Sequence, residues 1–288
     1  MLGNMLAPTD SEAELHFYAA PGRLTDLAGE ADLGELPHDI AGLARLVQGL
    51  VLHDGWAPRY GVTVSAEGKQ GLQVRTAASM LRRIRELDGR PLSDARPPER
   101  RFVGICRHIS VLTTALLRHV GVPARARCGF GTYFEGGGRF IDHWIVEHWD
   151  ARSRRWVRSD AQLDALQCET LCLDFDPLDL PAGRFLAGGE AWQECRAQRA
   201  DPGKFGIYEY WGGWFIRNNV VRDLAALNKV ELLPWDAWGL MDRQSAIGDG
   251  PSDALVDQVA AVANAGEWSA VRSLYQEDAR LRAPDSFD

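Results

Sequence analysis

Three things are scarce in this sequence: cysteine, net positive charge and long apolar runs. Five cysteines in 288 residues, an odd number that leaves at least one unpaired, exclude a disulfide framework as the basis of the fold. Acidic residues outnumber basic ones by 40 to 32, and the formal net charge of −8 argues against general binding to nucleic acid or anionic membranes. No stretch is apolar enough to span a bilayer, and residues 1–8 lack a charged-then-apolar leader. We therefore expect a cytoplasmic protein that binds neither nucleic acid nor membrane.

The remaining composition is that of an ordinary globular protein. Hydrophobic residues make up 45% of the chain and charged residues 25%, and the length allows a sizeable core, either as one large domain or as one domain with an appendage. We predict an N-terminal helical part at 1–98, a core with a Trp-rich cover at 99–243 and a C-terminal helical extension at 244–288. The first boundary lies in the exposed Pro-Pro-Glu-Arg-Arg linker, and the second lies in a polar Ser/Gly/Asp stretch.

Hydrophobic periodicity predicts a mixed chain of helices and strands. Apolar positions at helical spacing, closed by Gly or Pro, predict helices at 36–53, 73–87, 105–120, 215–228 and 254–274. Alternating apolar runs predict strands at 124–134, 140–149 and 155–160, with a short one at 15–18. The expected fold class is α+β, with a helix packed on an antiparallel sheet and further helices before and after it.

Cys106 opens the third predicted helix, and His143 and Asp160 follow on two predicted strands. A helix N-terminus stabilises a thiolate, which is the nucleophilic form of cysteine, through its unpaired N–H groups and its dipole. An imidazole beside the sulfur can take up the thiol proton and return it to a leaving group, and a carboxylate can fix the imidazole tautomer. This order of residue types therefore favours a thiol nucleophile with its base and orienting acid.

Strand register predicts that His143 and Asp160 meet. If residues 151–154 form the turn of a hairpin, Asp150 pairs with Arg155 and His143 lies opposite Gln162. Asp160 is then diagonal to His143 on the same sheet face, at about 7–8 Å between backbones. A one-residue change in the turn would move Asp160 to the other face, so the prediction depends on this register.

Other carboxylates are weaker partners for His143. Asp142 is its neighbour in sequence, so the two side chains point to opposite faces of the strand. Asp150 lies about 23 Å along the strand at roughly 3.3 Å per residue. Asp164 remains an alternative if the turn is longer.

These residues resemble a known family. Gly104-Ile105-Cys106 at a helix start, Arg118, the Gly-Val-Pro-Ala-Arg run at 121–125, His143-Trp144 and Trp156…Asp160 are similar to the transglutaminase-like (papain-like) superfamily core. The resemblance covers about sixty residues and implies that Cys106, His143 and Asp160 form a catalytic triad. Ala161-Gln162 departs from the Pro-Thr that follows the aspartate in many relatives. The Cys-rich zinc insert of the peptide N-glycanases is missing.

The resemblance implies a cysteine-dependent acyl-transfer enzyme without a metal or organic cofactor. It would form a thioester from a peptide, protein or small-molecule amide or acyl substrate and resolve the thioester with water or an amine. Two alternatives stay open: a papain-like peptidase or amidase that only hydrolyses, and a non-catalytic relative that binds a peptide or small molecule. Cys168 and Cys172 lack further ligands at metal spacing, so we expect no metal site there.

Further residues are candidates for binding the substrate or its oxyanion. Polar and aromatic side chains at 208–223 predict the wall of a substrate pocket, with a buried structural network as the alternative. Trp144, beside His143, is a further candidate for the pocket. The candidates are Trp144, Trp211, Trp214, Arg217, Asn218, Asn219 and Arg222. An oxyanion needs the Cys106 backbone N–H and, by resemblance, an upstream side chain, for which Gln70, Gln73 and Trp56 are candidates.

Overall fold

The computed structural model describes residues 10–27, 30, 33–241, 247 and 251–285. The described helices are α1 (Asp10–Ala19), α2 (Ile40–Leu50), α3 (Ala77–Leu87), α4 (Cys106–His119), α5 (Ala165–Thr170), α6 (Gly188–Arg196), α7 (Gly213–Leu227), α8 (Pro251–Ala265) and α9 (Trp268–Glu277). The strands are β1 (Val51–His53), β2 (Phe102–Gly104), β3 (Ala124–Gly131), β4 (Phe140–Asp150), β5 (Arg155–Ser159), β6 (Phe185–Ala187), β7 (Phe205–Ile207) and β8 (Tyr210–Trp211).

The larger sheet is mainly antiparallel, as predicted. Its strands run in the order β6-β3-β4-β7-β8, and β5 pairs with β4 beside this path. The pairing of β4 with β7 is parallel, and so is the separate pair formed by β1 and β2. The α+β fold class is confirmed.

The β4–β5 hairpin has the predicted register. Asp150 pairs with Arg155, and Trp149 pairs with Trp156, on either side of the turn at 151–154. Arg154 takes a positive φ of 53° in that turn. This register brings the end of β5 towards His143 on the neighbouring strand.

Helix α4 lies against the sheet and carries Cys106 as its first residue. Its apolar side chains pack with those of α2 and α3 in one part of the core, and α4 also contacts β3 and β4. A second part of the core joins α6, α7, α8 and α9. The helix is therefore held on several sides, which fixes the position of its N-terminus.

Three predicted elements are wrong in detail. Residues 15–18 belong to α1, because Tyr18 is buried and its hydroxyl donates to the Leu227 carbonyl oxygen at 2.8 Å, so tertiary contacts outweigh the strand-like composition. The predicted helix at 36–53 ends at Leu50, and Val51–His53 is a strand. The predicted helix at 254–274 is two helices, since Gly266 at a φ of +70° separates α8 from α9.

The predicted domain boundaries are not tested by these elements. The boundary near 244 lies outside the described residues, as do residues 242–246 and 248–250. At the other boundary, Pro98–Arg100 forms one 3₁₀ turn before β2. The division of the chain therefore stays a prediction.

Candidate active site

Cys106 lies at the N-terminus of α4, immediately after β2. Ile105 is the N-cap in an extended conformation, and Cys106 is the first helical residue. Cys106 is 7% exposed and lines a cavity. The first N–H groups of a helix lack intrahelical partners, so the sulfur lies where negative charge is favoured.

His143 lies between an acid and the thiol. Its Nε2 is 2.8 Å from Asp160 Oδ2, and Cys106 lies close enough to the ring to contribute to the raised pKa of His143. Because Nε2 faces Asp160, Nδ1 is the ring nitrogen that faces the sulfur. The edges of Tyr133 and Phe134 pack against the imidazole, with ring centroids 6.1 and 4.7 Å away. The structure thus brings together the three residues that the sequence predicted to meet.

Asp160 is held in place by two further donors. Tyr133 donates its hydroxyl to Asp160 Oδ2 at 2.7 Å, and the Gln162 backbone N–H donates to Oδ1 at 3.0 Å. Asp142, which the sequence indicated to be a weaker partner for His143, instead accepts from Asn219 at 2.7 Å. Sequence reasoning missed Tyr133, because it lies in the loop after β3 and no spacing rule connects it to Asp160.

The buried acid changes the protonation of the imidazole. Burial by itself would lower the pKa of His143, but the charge and hydrogen bond of Asp160, with a smaller contribution from Cys106, raise it to about 10. An imidazolium is therefore favoured between the carboxylate and the sulfur at neutral pH. A cation in this position stabilises a thiolate.

This protonation predicts that the free energy of unfolding decreases between about pH 6.5 and pH 10. Folded His143 keeps its proton up to a pKa of about 10, whereas an ordinary histidine loses it near 6.5. In this window the folded state binds more protons than the unfolded state, so the contribution is complete below pH 6.5 and is lost as the pH rises through 10. Denaturant unfolding at several pH values should show a steeper decrease for the wild type than for His143→Gln. Parallel decreases would contradict the assignment.

Cys106 and His143 line a cavity of about 760 Å³. Aromatic rings form much of its wall, and among the described residues every large hydrophobic side chain that is exposed lies at this cavity: Tyr208, Tyr210 and Trp235, at 72%, 37% and 41%. The other aromatic lining residues are Trp56, Phe134, Trp211, Trp214 and Phe215. Exposed aromatic surface concentrated at one opening is typical of a binding site.

The cavity receives four of the seven predicted substrate-binding residues. Trp211, Trp214, Asn218 and Arg222 line it. Trp211 is on β8, which the sheet order joins to β4 through β7, and the other three are on α7, which contacts β7 and β8. The prediction that they bind substrate is compatible with this position.

The other three predicted residues do not line the cavity. Trp144 is 1% exposed and packs in a small cluster that includes Cys128, because it points to the face of β4 opposite His143. Arg217 donates to Asp253 at 2.9 Å and ties α7 to α8. Asn219 donates to Asp142 and accepts from Arg222 at 3.1 Å. Arg217 and Asn219 thus belong to a buried polar network behind the wall.

The candidates for a second oxyanion donor differ in whether they line the cavity. Trp56 lines the cavity, whereas Gln70 and Gln73 do not. The Gln73 side-chain oxygen instead accepts from the Trp235 indole at 3.3 Å. His53 lines the cavity as well, although the sequence placed it in the last turn of a helix.

Comparison with known protein families gives a match over the segment that contains these residues. The family model of the Transglutaminase-like superfamily matches residues 63–161, a range that contains Cys106, His143 and Asp160. Residues 63–161 form a transglutaminase-like core. No curated protein matches the chain.

One solved structure resembles the chain at a low level. It is named "a Putative Cysteine Protease from Cytophaga hutchinsonii". The match has 15% sequence identity and a TM-score of 0.34, and it covers 60% of this chain and 45% of that one. The chain therefore matches less than half of that protein's length.

The transglutaminase-like core supplies only part of the cavity. Residues from 53 to 56 and from 207 to 241 lie outside the matched range and contribute most of its aromatic rings. The core thus brings the three chemical groups together, and surrounding segments shape the space above them.

Two further findings concern ligands and membranes. In the part of the chain that the structure describes, no three His, Cys, Asp or Glu side chains come together as metal ligands. Over the same residues, no helix is both long and apolar enough to cross a bilayer.

Proposed function

We propose that this protein is a cysteine-dependent acyl-transfer enzyme of transglutaminase-like type, with Cys106 as nucleophile, His143 as acid and base, and Asp160 as the orienting residue. The observation that carries the proposal is the chain of contacts from Tyr133 through Asp160 and His143 to Cys106, ending at a cavity of about 760 Å³. The core matched at 63–161 supports it.

The reaction follows from the positions of these groups. His143 holds the thiol proton, and the Cys106 thiolate attacks the acyl carbon, forming a C–S bond while the carbonyl oxygen becomes an oxyanion. The oxyanion collapses, the bond to the leaving amine breaks, and His143 gives its proton to that amine. A water molecule or an amine then attacks the thioester and gives its proton to His143. The C–S bond breaks and the Cys106–His143 pair is restored.

The lining of the cavity favours an amine as the second substrate. Tyr208, Tyr210, Trp211 and Trp235 line the same cavity as Cys106. An apolar wall disfavours bulk water near a thioester and leaves the intermediate available to a bound amine. We therefore propose transfer rather than hydrolysis as the main outcome.

A small activated ester tests the proposal. We expect p-nitrophenyl acetate to acetylate Cys106, which mass spectrometry of quenched digests detects, and added methylamine to divert the acetyl group into N-methylacetamide. The Cys106→Ala variant measures the uncatalysed reaction. Acetate as the product even with methylamine in excess would support the hydrolytic alternative. A Cys106 that is never acetylated would overturn the proposed enzyme.

A further inference from the structure

His53 lies beside the nucleophile through the pairing of two short strands. It is the last residue of β1, and it pairs in parallel with Gly104, two residues before Cys106. Neighbouring strands are about 4.8 Å apart, so the His53 backbone lies within a few ångströms of the segment that leads into the thiol. His53 also lines the same cavity as Cys106 and His143.

A local hydrogen bond fixes which nitrogen of His53 carries a proton. The Gly55 backbone N–H donates to His53 Nδ1 at 3.1 Å, at the start of the 3₁₀ turn Asp54–Tyr60. A neutral imidazole has one acceptor and one donor nitrogen, so Nε2 carries the hydrogen. Burial, together with the positive charge of His143, lowers the pKa of His53 to about 3, against a smaller opposing effect of Asp160. The ring is therefore neutral at physiological pH.

We propose that the Nε2–H of His53 and the backbone N–H of Cys106 together bind the oxyanion of the acyl intermediate, which makes His53 a further catalytic residue. This inference rests on the proposed function. A neutral donor suits the role because it stabilises a developing negative charge without the full positive charge that would compete with His143 for the thiolate.

Trp56 is the competing donor, since its indole also lines the cavity. The pairing favours His53: it lies directly beside Gly104, whereas Trp56 is three residues further on, within the 3₁₀ turn. His53 also lies near enough to His143 and Asp160 for their charges to affect its pKa.

The cap on the 3₁₀ turn provides a matched control. Bonding to Gly55 uses only Nδ1 of His53, and a serine hydroxyl can accept the same N–H. His53→Ser therefore keeps a cap and removes the Nε2–H donor. His53→Gln supplies a neutral amide donor of similar reach, and Trp56→Phe removes the competing indole N–H while keeping an aromatic ring.

Two reagents separate oxyanion binding from thiol activation. Acetylation by p-nitrophenyl acetate passes through an oxyanion, whereas alkylation by iodoacetamide is a direct displacement that forms none. In His53→Ser we expect acetylation of Cys106 to slow by about 10²–10³-fold, and alkylation to stay within about twofold of the wild-type rate. His53→Gln should recover part of the acetylation rate, and Trp56→Phe should slow acetylation less than His53→Ser does.

Each other outcome overturns the inference in a recognisable way. If both reactions slow equally in His53→Ser, His53 supports the reactivity of the thiol or the stability of the fold rather than the oxyanion. If Trp56→Phe alone slows acetylation, the indole is the donor. If wild-type Cys106 alkylates rapidly and His53→Ser acetylates normally, only this inference fails. A wild-type Cys106 inert to both reagents would overturn the proposed function, and this inference with it.

Discussion

Replacing Cys106 by alanine is expected to reduce acyl transfer by about 10⁶-fold. No other described thiol can take over, because Cys128 and Cys195 are buried with pKa values raised by burial, and Cys168 and Cys172 lie outside the cavity. The measurement is the release of p-nitrophenol under single-turnover conditions.

The fold should survive this substitution. The Cys106 side chain is small, and alanine is the best helix former for the first turn of α4. Cys172→Ala is the matched control, since it removes an exposed thiol outside the cavity and should leave the rate unchanged. A Cys106→Ala protein that unfolds like the wild type and still turns over would contradict the role of Cys106.

Replacing Asp160 by asparagine is expected to reduce turnover by about 10²–10⁴-fold, the usual contribution of general acid–base catalysis. Oδ2 accepts from both His143 Nε2 and the Tyr133 hydroxyl, whereas Oδ1 accepts only from the Gln162 N–H among the described residues, so the amide oxygen of asparagine takes the place of Oδ2. Asparagine then keeps the tautomer of His143 but removes the negative charge that raises the pKa of His143 and stabilises the imidazolium.

Tyr133→Phe is the control that loosens the position of Asp160 without removing its charge. It removes one hydrogen bond to Asp160 but keeps the carboxylate and the tautomer of His143. A single hydrogen bond corresponds to about 1 kcal/mol, or about fivefold in rate. Turnover of the two variants, compared at equal thermal stability, checks the argument. An equally small loss in both would show that the charge of Asp160 does not support the His143 imidazolium.

Local rules predicted the parts of the site that lie close together in sequence. A four-residue turn at 151–154 fixes the β4–β5 register by counting alone, and this register carries Asp160 to His143. The helix that begins at Cys106 follows from an apolar stripe closed by Gly121 and Pro123. Both depend on short-range patterns that tertiary structure did not override.

The sequence could not predict what tertiary contacts decide. Val51 and Leu52 continue the helical spacing of α2, so periodicity could not separate the strand that carries His53 from the helix before it. The signal that was available is the Asp-Gly pair directly after His53, which is typical of a turn. Tyr133 and the aromatic wall are brought to the site by pairings across the sheet, which no local pattern records.

Helix α7 shows the same limit of prediction from sequence. Two turns of α7 carry Arg217, Asn218, Asn219 and Arg222. Asn218 and Arg222 line the cavity, whereas Arg217 bonds to Asp253 and Asn219 bonds to Asp142. Helical spacing places residues on faces, but only the positions of α8 and β4 decide which face meets the cavity.

The most direct measurement of the central claim is the rate at which each cysteine reacts with iodoacetamide at neutral pH, followed by mass spectrometry of peptides. Accessibility alone favours Cys172, which is exposed, over Cys106, which is 7% exposed. Activation by the His143 imidazolium and the helix N-terminus reverses this order. The account predicts that Cys106 reacts faster than Cys172, and that His143→Gln abolishes the advantage. A Cys172 that reacts as fast as Cys106 or faster in the wild type would contradict it.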